Sequence, residues 1–479
     1  MAGLTRRGLA AATVSLPLAS SACRAPPPKG GDRLVVDDQS GLNATRVSRN
    51  ITVPASAIPA GVPAVLESSS NALPVTVAGA RHSMGGQSLP PAGGVAIALG
   101  KAASASPADD GVYRTGAGSR WRDVIARLDT QGLSPLVMQS NCDFSVGGSI
   151  SVNAHGWAVP HGPLGSTVKQ LRVMLADGSR VTCSPTQGPE LFSACLGGYG
   201  LMGVLLDADL QAAPNVMLQR AQEDLAADDF AERFQHRVHA PDVEMAYGRL
   251  SMARARFMEE ALLVSHTPVP DAEGALPPAR TSGHMEGISR RIFRAQTGSE
   301  PGKQFRWRAE KHLAPSPLST RNSLLNVSVT SFAPFDDHRT DILHEYFVPP
   351  AALNIFLVAC RRLIPASDQD LLNCTLRWVE ADPISLLSFA PEPRIALVML
   401  FSQEKTPTAE ADMTALTRSL IDVALSLGGS FYLPYRLHAR PDQLRRAYPG
   451  LERFVALKRQ WDPHLRFRNQ MWDAWLARI

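Results

Sequence analysis

"LGGYGLMGVLLDADL" occupies residues 196–210, and its glycines at 198, 200 and 203 spell G-x-G-x-x-G. That spacing is the fingerprint of a dinucleotide-binding βαβ unit, where a strand ends in the glycine turn and a helix starts there. Glu223 and Asp224 follow about 20 residues later, the distance at which such a unit places its ribose contact. The flanks decide against it. Upstream, "PELFSAC" has Pro189 at its start and Leu191, Ala194 and Cys195 on one face, the pattern of a short helix. Downstream, Leu206, Ala208 and Leu210 alternate with Asp207 and Asp209, the pattern of a strand. The order is helix, glycine turn, strand, the reverse of the fingerprint. The acidic pair therefore needs no ribose role.

Two other glycine clusters lie at the ends of β-type runs: "GARHSMGGQ" at 79–87 and "VGGSISVNAHG" at 146–156. Each contains a histidine, His82 and His155. Any one cluster can be an ordinary turn. Three of them, each separated by more than 40 residues, suggest backbone N–H groups converging on one large anionic ligand.

The rest of the chain bounds what surrounds these loops. Its 479 residues suggest two or three domains. A composition 44% hydrophobic and 19% charged supports a large core. Net charge is +4, from 48 basic and 44 acidic residues spread evenly, which argues against nucleic acid as a partner. "LTRRGLAAATVSLPLASSAC" (4–23) pairs Arg6 and Arg7 with a mild apolar run and small residues, and reads as a twin-arginine export signal. The run is too short for a stable membrane span, and "RAPPPKGG" (24–31) is a linker. The expected location is the periplasm, with Cys23 placed where a lipid anchor would attach and Ser20 departing from the usual lipoprotein pattern. Cys142, Cys183, Cys195, Cys360 and Cys374 fit no metal spacing and read as buried thiols.

Strands are expected over 73–81, 94–99 and 111–118, then a helix with Ser119 as N-cap and Trp121, Val124, Ile125 and Leu128 on one face. Asp177-Gly178 joins two alternating runs as a hairpin turn. Beyond about 213 the texture is α+β: a helix at 229–238, the stretch 252–269 continuing into a strand, polar loops over 267–323, and a strand at 323–332. A helix follows at 349–364, then a strand at 394–401 and a helix opened by Thr406-Pro407 and closed by Gly428. The tail from 430 holds a short strand and helical segments around 441–460.

These residues resemble the FAD-binding PCMH-type proteins of the vanillyl-alcohol oxidase superfamily. "VAGARHSMGGQSL" (77–89), "SVGGSISVNAHGWAVPHGPLGSTVKQLRVMLADG" (145–178) and "ELFSACLGGYGLMGVLLDADL" (190–210) are similar to its three flavin loops. "HEYFVPPAALNIF" (344–356), "NCTLRWVEADPISLLSFA" (373–390) and "WDPHLRFRNQMW" (461–472) resemble aldonolactone and alditol oxidases. The resemblance implies an α+β protein. An FAD domain of two small α/β subdomains covers 40–212, a substrate cap with an antiparallel sheet covers 213–429, and 430–479 returns to the flavin interface. It implies FAD as cofactor and no metal, a small oxygenated substrate that gives a hydride to the flavin, and oxygen or another acceptor to reoxidise it.

By position, the implied cofactor residues of the first loop are Gly79, Ala80, Arg81, His82, Ser83, Met84, Gly85, Gly86 and Gln87. The second loop supplies Gly147, Gly148, Ser149, Asn153, His155 and Gly156; the third supplies Gly200, Gly203 and Val204; Asn469 falls near the ring. Relatives with His-Ser at the His82 position bond that histidine to the flavin 8α-methyl, chemistry a neutral imidazole supports. Cys142 stands near where bicovalent relatives carry a second attachment, one residue out of register and without their following proline. In the cap, Arg377 matches the arginine of a Glu-x-Arg pair whose glutamate is Thr375 here. Glu345 is an acid on a matching cap strand, and Arg436 in "YLPYR" sits where relatives present a basic group to the flavin. The three are the catalytic candidates. Two alternatives stay open. One is amine oxidation of the cytokinin-dehydrogenase kind, although no acid lies between Phe144 and Asp177 where those enzymes place their base. The other is a flavin-binding protein without catalysis.

Overall fold

The computed structural model describes residues 33–54, 57–69, 72–101, 105–106, 110–270, 275–279, 286–313, 316–329 and 337–479. The export signal, the linker and Cys23 lie outside these residues. Among the described residues the strands build a small parallel sheet, an antiparallel sheet beside it, and a wide antiparallel sheet in the second half of the chain.

The parallel sheet has Val95–Leu99 between Arg49–Val53 and Val75–Ala78. The chain's end joins its edge. Val75 N–H donates to the Arg466 carbonyl at 2.8 Å, and Arg468 N–H donates to the Val75 carbonyl at 3.0 Å. The antiparallel sheet runs Val112–Gly116, Val204–Pro214, Val168–Met174, Arg180–Cys183, with Leu133–Pro135 pairing the far end of Val204–Pro214. Val204–Pro214 follows the helix Pro189–Cys195 directly through the glycine turn, so the reversed fingerprint is the observed order. Gly178 turns the expected hairpin at φ 84°, with Met174 opposite Arg180.

The large sheet is ordered Leu318–Thr320, Met217–Ala226, Glu260–Pro268, Met245–Leu250, Asp370–Val379, Arg394–Glu404, Arg339–Val348, Ser430–Phe431. Its first seven strands come from the cap region, and the last edge pair comes from just beyond residue 429. Arg394–Glu404 is buried along nearly its whole length, which is why "RIALVMLF" is an unbroken apolar run and does not alternate. The helices Leu353–Leu363 and Pro407–Ser426 cover one face of the sheet. The second begins where Thr406 accepts the Ala409 N–H at 3.2 Å, and Gly428 stops it at φ 74°.

Three expectations are corrected. Helix Trp121–Asp129 has Arg120, not Ser119, at its N-cap; the Ser119 carbonyl instead accepts the Val146 N–H at 2.9 Å and anchors the second glycine loop. The stretch 267–323 is not all loop, since Glu286–Arg294 and Glu300–His312 are helices. Their polar composition hides their burial, because the cations are neutralised in place. Arg306 lies 4.5 Å over the Phe293 ring and pairs with Glu310 at 2.8 Å; Lys303 pairs with Asp370. Finally, the described part of 323–332, residues 323–329, is not a strand: Arg321–Leu325 is a helical turn capped by Thr320. Asn322 ties that turn to Asp129 at 2.8 Å and to the Leu133 carbonyl at 2.9 Å, which outweighs the alternating pattern. Residues 330–336 lie outside the described set. No described helix is long and apolar enough to cross a membrane.

Candidate active site

A cavity, about 1220 Å³ of empty space with its open mouth included, lies between the glycine loops and the large sheet. The loop wall is largely backbone: Gly79 to Ser83 and Gln87 from the first loop, Gly147, Gly148 and His155 from the second, and Gly200, Gly203 and Val204 from the third. The opposite wall carries Leu343, Glu345, Arg377, Tyr432 and Tyr435.

Several of the glycines are required by the protein's own packing. A Cβ on Gly79 would stand 1.9 Å from Ser145 Oγ, one on Gly147 2.7 Å from Ala117 Cβ, and one on Gly203 2.6 Å from the Met174 carbonyl. The loops are thus stacked on their neighbours so closely that only backbone fits, and that backbone is what the cavity meets. Gly200 differs: its φ of 71° is the reason for glycine, and an added Cβ would have little beside it.

His82 is half-buried, with its ring 4.1 Å from Phe144. Burial, then the Arg120 charge, pushes its imidazole down to about 3, so it is neutral at physiological pH. Next to it Arg81, at φ 56°, has Nε and Nη2 buried without a hydrogen-bond partner. An anionic ligand in the cavity would satisfy those donors.

Glu345 and Arg377 come from strands separated by Arg394–Glu404. The register sets Glu345 opposite Val398, and Arg377 opposite Ala396, two residues along the same face. Glu345 Oε1 meets His155 Nε2, and Oε2 accepts the Tyr435 hydroxyl at 3.0 Å. Arg377 Nη1 donates to the His155 carbonyl at 3.2 Å, and its Nε has no partner. Burial pulls the Glu345 carboxyl up, but His155, Arg377 and Tyr435 outweigh it and hold it below the usual carboxylate range. The site therefore presents an ionised carboxylate and a guanidinium to whatever lies against the loops.

Other expected residues stand behind the wall. Met84 is fully buried among Phe293, Leu343, Val398 and Leu400. Gly85 packs on the Tyr435 carbonyl, and Gly86 N–H donates to Asp38 at 2.7 Å. Ser149 Oγ donates to Gln139 at 2.7 Å and accepts from Trp121 Nε1 at 2.9 Å. Asn153 donates to Asp382 at 2.9 Å and accepts the Gly165 N–H at 2.8 Å. Gly156 packs on the Met138 carbonyl, and Asn469 donates to the carbonyls of Gln87 at 2.9 Å and Tyr199 at 3.1 Å. Arg436 is a correction. It turns away from the cavity to Glu410, Asn43 and the Met84 carbonyl, because the chain turns at 433–435 and presents Tyr432, Pro434 and Tyr435 to the cavity instead. Tyr432 and Tyr435 stand in that same stretch and are the residues that sequence reasoning missed. Cys142 does not line the cavity; burial pushes its thiol up to about 11.

The cavity fits an extended anionic dinucleotide on three observations of this chain: its size, its backbone wall, and the unsatisfied Arg81 donors. Known proteins agree. Residues 60–184 match the family described as FAD binding domain. The chain is 37% identical over 141 residues to cytokinin dehydrogenase 4 of Arabidopsis thaliana, covering 28% of this chain and 27% of that protein. It is 33% identical over 106 residues to the putative D-arabinono-1,4-lactone oxidase of Neurospora crassa, covering 22% and 19%. It is 34% identical over 127 residues to D-arabinono-1,4-lactone oxidase of Yarrowia lipolytica, covering 26% and 24%. These alignments span about a quarter of the relatives' own length. Loop order, cavity and family match together make residues 60–184 part of an FAD-binding domain, with FAD the cofactor.

Proposed function

We propose that the protein is an FAD-dependent oxidoreductase acting on a C–H that bears a hydroxyl, in a substrate of the alcohol, polyol or sugar-lactone class. FAD, when bound, supplies the hydride acceptor at its N5. Residues 79–83, 147–148 and 200–204 would hold the cofactor by backbone and Arg81 by charge. Glu345 takes the hydroxyl proton, and Arg377 stabilises the negative charge that grows on the substrate oxygen. The observation that carries this reading is the ionised Glu345 beside Arg377, facing the three glycine loops across one cavity. His82, half-buried and neutral, is the proposed point of covalent attachment to the flavin 8α-methyl. Twin arginines at 6 and 7 support export to the periplasm.

One observation favours a second reading, oxidation of a C–H beside an amine: several relatives are named cytokinin dehydrogenases. Anaerobic bleaching of the flavin band separates the two. The panel is polyols, aldonolactones and hydroxy acids against an N6-alkylated adenine. Bleaching by the adenine alone defeats the alcohol reading, and bleaching by none of the panel defeats both. Readmitting oxygen then distinguishes an oxidase from a dehydrogenase. Separately, acid-precipitated protein keeps its yellow colour if His82 is bonded, and His82→Ala releases it; a colourless wild-type pellet removes the attachment.

A further inference from the structure

Glu345 is an acid held in a nearly water-free site, 3% exposed, where an unaided carboxyl takes up a proton. The groups facing it come from five elements. They are His155 of the second loop, Arg377 of the 370–379 strand, Tyr432 and Tyr435 of the 430–436 segment, Tyr199 of the third turn, and Tyr448 of the C-terminal segment. Burial pushes all four tyrosines well above their ordinary 10, so they are neutral. Arg377 is permanently charged but reaches the His155 carbonyl, not the carboxylate, with its hydrogen bond.

That leaves the His155 imidazole, itself 3% exposed, as the one titratable cation-forming side chain in direct contact with Glu345 among the described residues. Its ring cannot turn away. Phe347, Phe389 and Tyr432 surround it with centroids at 5.4, 5.8 and 5.9 Å, and the Arg377 bond pins its backbone. We infer that His155 is a positioning residue: through Nε2 it keeps the Glu345 carboxylate ionised and aimed into the cavity. The second flavin loop thereby sets the charge of the proposed catalytic base on the cap. The inference borrows only the role of Glu345 from the proposed function; the coupling of the two side chains stands apart from it.

The test uses the flavin-loaded protein and infrared spectroscopy. The protonated-carboxyl band of Glu345 is assigned by its loss in Glu345→Gln and titrated from about pH 2 to 9. In wild type the band is expected only below the usual carboxylate range. In His155→Gln its midpoint rises by at least about one pH unit, a tenfold loss of carboxylate at a given pH. An unchanged midpoint overturns the inference. If His155→Gln does not hold flavin, the coupling is read in reverse, since linkage is reciprocal. Glu345→Gln must change the pH response of the His155 imidazole ¹⁵N signal, and an unchanged signal overturns the inference equally. A shifted midpoint together with undiminished flavin bleaching by Glu345→Gln would remove Glu345 as the base and leave the coupling standing.

Discussion

The two walls of the cavity are made from different materials. The loop wall meets the cavity with backbone, and its glycines are fixed by contacts on the far side: Gly79 against Ser145, Gly147 against Ala117, Gly203 against Met174. The cap wall meets it with side chains that touch one another, Glu345 with His155 and Tyr435, and Arg377 with the His155 carbonyl. A wall of backbone can recognise only what every residue shares, N–H and C=O, and suits a ligand common to many proteins. A wall of side chains can differ from one protein to the next, and suits the group that chooses the substrate. Cofactor binding should therefore fail through packing on one side, and chemistry through single polar atoms on the other.

Substitutions can break that division. The largest effect is expected at Glu345→Gln. It keeps the shape but removes the base, so flavin reduction by a substrate found in the panel should slow by about 10²–10⁴ while flavin content holds. Loss of flavin instead would make Glu345 a structural residue. Arg377→Met should slow the same step by about 10²–10³, again without loss of flavin, as measured by stopped-flow absorbance. The third effect lies in the cap. Burial pulls Glu310 up, but Arg249 and Arg306 outweigh it and hold its carboxyl at about 2. A folded value below the ordinary 4.5 stabilises the protein above that pH, and the stabilisation fades as pH falls from about 4.5 to 2. Thermal melts should show an acid-sensitive loss on the order of 3 kcal/mol over that window, which Glu310→Gln flattens. A Glu310→Gln variant with the wild-type acid slope contradicts it.

On the loop wall, Gly147→Val should cost about 1–3 kcal/mol and lower flavin content, because its added carbons meet Ala117. If flavin loading is normal, the loops are less tightly stacked than they look. The smallest effect is expected at Glu223→Ala. Glu223 is half-exposed and pairs only with the exposed Arg233 at 2.8 Å, so the change should cost under about 1 kcal/mol and leave flavin unchanged. A drop in flavin there would revive the ribose role that the G-x-G-x-x-G spacing suggests.

Local signals carried much of this structure. The helix before the 196–203 turn, the strand after it, the Asp177-Gly178 hairpin and the Thr406 cap follow from period, turn chemistry and capping, all of which act within a few residues. The same signals mislead where a distant partner changes the balance. Helix Glu300–His312 looks too polar to be buried until Arg249, Asp370 and Phe293 arrive to neutralise and cover its charges of both signs. Residues 323–332 alternate like a strand, yet Asn322 bonds across to Asp129 and folds the start of that stretch as a turn.

The site divides along the same line. By itself the sequence determined that three glycine loops exist, that they are not a βαβ fingerprint, and that Glu345 and Arg377 sit in stretches resembling a substrate cap. It could not determine that these two share a face, because they lie over 30 residues apart and meet only through the register of the strand between them. Nor could it tell that Arg436 turns outward while Tyr435 turns inward, since both stand in one pentapeptide whose turn at 433–435 sets their directions. A glycine's place is written in local conformation. The direction of a side chain across a cavity is decided only when the opposite wall is present.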